Sequence, residues 1–144
     1  MHIPLKMKIC LVVMISLCFL SAAQGEVAII VSAKNPVSAM GNAQVADIFL
    51  GRTRKFPRQS AAVPVNLPES SATRDEFYVK EANKMPPLLK SYWSRLIFTG
   101  EAQPPREVDS MAVMKKMIAD NPDYIVYLDI NAVDPSVRIV LLLR

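Results

Sequence analysis

Once its first 25 residues are set aside, the 144-residue chain has neither cysteine nor histidine, because Cys10, Cys18 and His2 all lie in that leader. No disulfide can staple the remainder, no thiolate or imidazole can act in it, and the usual zinc ligand sets are missing. Glycine is scarce as well. Only Gly41, Gly51 and Gly100 follow the leader, so no glycine-rich phosphate cradle of the P-loop or dinucleotide type can form. Two carboxylate pairs exist, Asp120 with Asp123 and Glu107 with Asp109. Both flank expected helix ends, where acids and turn formers are common. A binding protein is therefore expected rather than an enzyme, with no catalytic residue, cofactor or metal site.

The leader reads as a secretory signal. Lys6 and Lys8 precede an apolar run of 12 residues, Ile9 to Leu20, and Ser21-Ala22-Ala23-Gln24-Gly25 offers small residues for cleavage. Such a run is too short to span a bilayer, and its flanks suit a peptidase. Cys18 follows Leu17 rather than the small residue that lipid attachment needs. Residues 1–25 are thus expected to be a signal peptide, and residues 26–144 a single exported, periplasmic domain. Without Lys6 and Lys8, 15 basic residues face 13 acidic ones. That net charge of +2 argues for no polyanionic partner. Arg52, Arg54, Lys55 and Arg58 form a basic loop, read as a solvated surface. Nucleic acid is excluded by the export signal and by the lack of an aromatic stacking platform around the cluster.

Hydrophobic periodicity organises the rest. Val27 to Ser32 is an unbroken apolar run, as expected of a strand covered on both faces. Val45, Ile48 and Phe49 sit at helical spacing between a cap at Gly41 or Asn42 and a stop at Gly51. Ala62 to Asn66 predicts a short strand near a sheet edge, since Pro64 interrupts it. A helix is predicted from about Ser71 to Ala82, and another from Pro86, with Leu88, Leu89, Tyr92, Trp93, Leu96 and Ile97 facing inward. A fourth helix is predicted over Val108 to Ala119, then strands over Tyr124 to Leu128 and Val137 to Leu143. Strands alternating with helices predict an α/β fold with a mainly parallel sheet flanked by helices.

The sharpest candidate site is the turn Ser70-Ser71-Ala72-Thr73-Arg74, placed between a strand and a helix. Hydroxyls and the first helical N–H groups can hold a tetrahedral oxyanion there, with Arg74 supplying charge or bracing the loop through an acid. The same residues also fit plain capping, with Thr73 bonding forward and Glu76 reaching back. Ser32 and Lys34 follow the first strand at its carboxyl end, where ligands of open α/β sheets collect, and so are candidates for the same crevice.

Four motifs, in order, resemble the ligand-binding subunits of phosphate ABC importers. Asn35-Pro36-Val37 follows a strand, as in that family. Val45-Ala46-Asp47-Ile48-Phe49-Leu50-Gly51 is similar to its Leu-x-Asp-Ile-Phe-x-Gly. Ser71-Ala72-Thr73-Arg74 stands where it has Ser-Gly-Thr-Arg, and Asn121-Pro122-Asp123-Tyr124-Ile125-Val126-Tyr127 where it has Asn-Pro-Gly-Ala-Ile-Gly-Tyr. The resemblance implies a single lobe of a type-II periplasmic-binding-protein fold. It also implies phosphate or a similar oxyanion as ligand, bound by Ser71, Thr73 and Arg74, with Ser70 and Ser32 added as candidates from their place in the fold. A membrane transporter or sensor would be the partner, and a homodimer is a further expectation, since it would rebuild a closed cleft. The family has glycine where Ser70 and Ala72 stand and an arginine near Leu67. Those departures leave a second expectation, a periplasmic interaction or sensory module that has lost transport.

Overall fold

In the computed structural model, residues 25–144 are described except Gln59. The expected signal peptide therefore lies outside the described residues, save for Gly25. The elements in chain order are β1 (Val27–Ser32), α1 (Asn42–Phe49), β2 (Val63–Asn66), α2 (Ala72–Ala82), α3 (Pro86–Thr99), β3 (Arg106–Glu107), α4 (Met111–Asp120), β4 (Tyr124–Asp129) and β5 (Val137–Leu143). A 3-10 turn, Ile130–Ala132, separates the last two strands. No helix among the described residues is long and apolar enough to cross a membrane.

The five strands form one sheet in the order β3-β2-β4-β1-β5. β2 pairs in parallel with both β3 and β4. β1 runs antiparallel to β4 and β5 on its two sides. Four strands thus share one direction and β1 opposes them, so the sheet is mixed, with helices covering it. Strand direction decides what each end of the sheet carries. The carboxyl ends of β2 and β4 share one end, while Ser32, which closes β1, pairs with Val137 at the other.

All six residues of β1 are buried, which accounts for the unbroken apolar run in the sequence. The central packing is aromatic. Phe77 of α2 stacks on Tyr127 of β4 with ring centroids 4.2 Å apart and planes within 7°. Phe49 of α1 meets Phe77 edge-on at 4.7 Å. Such pairs add about 0.5–1.5 kcal/mol each beyond the area they bury. They lock α1 and α2 onto the middle of the sheet.

Chain punctuation follows the sequence reading closely. α1 is capped by Gly41, whose N–H bonds the Gln44 side chain at 2.8 Å. Gly51 then takes φ +73°, and a Cβ there would lie 3.1 Å from the Ala102 Cβ and 3.2 Å from Trp93 Cη2. Both backbone and space demand glycine at that position. α3 carries Pro86 and Pro87 in its first turn, and Gly100 ends it at φ +72°. Leu89, Trp93 and Leu96 are buried as expected, but Leu88 is 60% exposed and Ile97 46%. α4 begins at Met111 behind a Ser110 cap, not at Val108. Val108 instead lies between β3 and that helix, its N–H bonded to Asn66 O at 2.9 Å.

One half-buried acid is legible in the packing of α2 on α1. Glu81 accepts from Asn42 Nδ2 through Oε2 at 3.5 Å, and the backbone of Ala46 offsets part of the cost of burying its carboxyl. Burial raises this carboxyl from 4.5 to about 7. The folded state therefore binds the proton more tightly than the unfolded chain. Glu81's contribution is fully present below the unfolded value and is lost as pH rises toward 7. Glu81→Gln should raise stability above that window by about 1–2 kcal/mol, allowing for solvent screening, and leave it unchanged near pH 4. Urea denaturation at the two pH values measures the difference.

Candidate functional site

The turn between β2 and α2 is built around a small polar node beneath it. Asn66, buried at the end of β2, accepts from Tyr78 Oη at 2.8 Å and from Tyr127 Oη at 3.2 Å. Tyr127 Oη in turn accepts the N–H of Leu67 at 3.0 Å. Burial pushes both phenols well above their ordinary value, so they stay protonated and serve as donors. The backbone leaving β2 is thereby fixed before the turn begins.

Arg74 completes the support. Its side chain is 10% exposed, and Nη1 donates to Leu67 O at 2.9 Å and to Glu107 Oε1 at 2.5 Å. The Tyr78 ring lies 6.0 Å from its Cζ. Of the two roles open to Arg74 from the sequence, these contacts are those of a brace: Nη1 ties the start of α2 to Leu67 and to Glu107 of β3.

Above this support, Pro68-Glu69-Ser70-Ser71 turns into α2. Ser71 N bonds Pro68 O at 2.9 Å, and Ser71 Oγ caps the helix by accepting from Arg74 N at 3.2 Å. The cap is therefore Ser71 and not Thr73. Glu76 does not reach back to close a capping box; it pairs with Lys80 at 2.7 Å, one turn on. No acceptor among the described residues receives the N–H of Ala72 or Thr73. Neither the Ser70 nor the Thr73 hydroxyl is engaged there. The turn thus offers two free amides and three hydroxyls at the positive end of a helix of 11 residues, with Glu69 beside it.

Ser32 does not join this group. It is buried at the opposite end of the sheet, where its Oγ donates to Ala119 O at 3.5 Å and accepts from Lys34 N at 3.2 Å. The reversed direction of β1 is the cause. Lys34 is exposed at that same far end. The two Asn-Pro motifs meet there as well, Asn35 Nδ2 donating to Pro122 O at 2.7 Å. Both motifs are structural, while the hydroxyl turn stands alone at the other end.

Sequence reasoning missed three contributors. Glu107 was visible only as one of a carboxylate pair, and its partner Arg74 is 33 residues away. Tyr127 lay within a predicted strand and Tyr78 within a predicted helix, and nothing in their spacing announces a shared acceptor in Asn66. Among the described residues, no group of three His, Cys, Asp or Glu is placed to hold a metal.

Comparison with known proteins bears on this geometry. Neither a family model nor a curated protein matches the chain. Solved structures do. An ABC-type phosphate transport receptor from Vibrio cholerae superposes with a TM-score of 0.64 at 21% identity, over 81% of this chain and 45% of its own. A Clostridium perfringens protein described as a phosphate ABC transporter substrate-binding protein, with phosphate bound, gives 0.63 at 25% identity, over 81% and 44%. PstS from Borrelia burgdorferi gives 0.60 at 15%, over 81% and 46%. The chain thus has the architecture of a periplasmic binding protein, similar in fold to these phosphate-transport proteins. It spans less than half the length of each.

The brace makes an asymmetric prediction. Arg74→Met keeps most of the buried stem but leaves Leu67 O without its donor, and should cost about 2–3 kcal/mol. Glu107 is 49% exposed, so Glu107→Gln, which leaves an amide oxygen to accept, should cost less than about 1 kcal/mol. Urea unfolding midpoints of the two variants test this order.

Proposed function

We propose that the protein is an exported solute-binding domain that holds an inorganic oxyanion, phosphate foremost, at the amino end of α2. The observation that carries this reading is the pair of unpartnered amides, Ala72 and Thr73, flanked by the free hydroxyls of Ser70 and Thr73. Ser71 serves as cap through its lone pair and keeps its own proton to donate. Charge comes from the helix dipole, while Arg74 positions the turn from beneath. The phosphate-bound state of the Clostridium perfringens neighbour supports the choice of anion. A membrane transporter or sensor is the partner this reading implies, outside the cytoplasm.

The site is shallow and wet, with Ser70 exposed and Ser71 and Thr73 half-buried. Weak affinity follows, in the range of about −8 to −4 kcal/mol, micromolar to millimolar. Glycine at positions 70 and 72 would permit closer backbone approach, and the Cβ atoms here limit it. A second reading, a protein-interaction module, is favoured by α3, where Phe98 is 93% exposed near Ile97 at 46%. Single exposed apolar residues are common, so this face ranks behind the turn.

Calorimetric titration with phosphate and sulfate separates the readings. The oxyanion reading predicts saturable phosphate heat, weakened about tenfold or more, roughly 1.4 kcal/mol, in Ser70→Ala/Thr73→Ala, while the Ser71 cap keeps the helix intact. No heat from a folded sample would leave the turn a helix cap and favour the interaction module.

A further inference from the structure

A groove of about 550 Å³ lies beside α2, between its first turn, one side of α3 and the segment 104–107. Its wall is apolar: Leu89, Trp93 and Ile97 from α3, with Pro86, Pro87 and Pro104. The volume falls in the range of small-molecule sites, whose linings are mainly apolar with a few placed polar groups. The prolines fix their stretches of wall, so little ordering cost attends occupancy.

The charged rim has a definite sign. Glu69, Asp75 and Glu107 stand on it, with Arg74 and Lys90. Arg74 and Glu107 neutralise one another. Neither Glu69 nor Asp75 pairs with a cation among the described residues. Two free carboxylates therefore outweigh one lysine, beside a low-dielectric wall where charge acts strongly. Trp93 adds a π face of the type that best attracts a cation.

We propose that this groove binds a small amphipathic organic cation. A primary ammonium would sit at Glu69 and Asp75, with an apolar body against Trp93 and Ile97. The proposal does not rest on the oxyanion reading. Ser70, Ser71 and Thr73 do not line the groove, and Thr73 and Asp75, two residues apart on one helix, point roughly 200° from each other. One turn of chain would then present an anion site on one face and a cation site on the other.

Trp93 is the only tryptophan in the sequence, so its emission reports occupancy directly. The purified protein would be titrated with phenylalaninamide, a cation, and N-acetylphenylalanine, an anion with the same ring. The expected result is a saturable change in Trp93 emission with phenylalaninamide and at least tenfold weaker response to N-acetylphenylalanine. Glu69→Gln/Asp75→Asn should abolish that preference, and Lys90→Gln, which leaves both carboxylates, should strengthen phenylalaninamide binding. Equal response to both probes, no response to either, or a preference that survives the double substitution would overturn the proposal.

Discussion

Arg74 ties the first turn of α2 to two segments that the β2–β3 ladder holds side by side: Leu67, just past β2, and Glu107 of the two-residue strand β3. Taking a cation out of water is costly unless it is paired and hydrogen-bonded. Here the pairing is met at one side by a carbonyl and at the other by a carboxylate that remains half in solvent. The turn above inherits its shape from this arrangement and from the Asn66 node beneath it. A consequence for chemistry follows. Arg74 Nη1 is engaged by Leu67 O and Glu107, so the turn itself offers an anion amides, hydroxyls and the helix dipole.

The direction of one strand settles the rest of the site. Because β1 opposes its neighbours, the loop carrying Ser32, Lys34 and Asn35 is carried away from the hydroxyl turn and docks on Pro122. The two ends of the sheet therefore divide their labour. One end is closed by Asn-Pro loops and by Arg138, which donates to Asn35 O at 2.8 Å. The other end keeps unpartnered donors facing outward.

Much of the architecture was legible in the residues. Val27–Ser32 and Val137–Leu143 announced themselves as apolar runs, and Pro86-Pro87, Gly51 and Gly100 marked helix limits that the structure keeps. The hydroxyl turn at the start of α2 was also readable from composition alone. What escaped was non-local or too short to have a period. β3 has two residues and shows no pattern. The Arg74–Glu107 pair spans 33 positions. Strand direction cannot be read from strand composition, so Ser32 was placed with the wrong end. Capping was assigned two residues late, because Thr73 and Glu76 match the pattern that Ser71 in fact fulfils through a single bond to Arg74.

The central claim is that the amides opening α2 face solvent free of internal partners and receive an oxyanion. Amide chemical shifts followed by NMR during a phosphate titration test it most directly. The account predicts saturable shifts concentrated on Ala72 and Thr73, with Ser70 and Ser71 following, while Ser32 and Lys34 at the far end of the sheet stay fixed. Shifts centred elsewhere, or none at Ala72 and Thr73 up to tens of millimolar phosphate, beyond the weak end of about −4 kcal/mol, would contradict it.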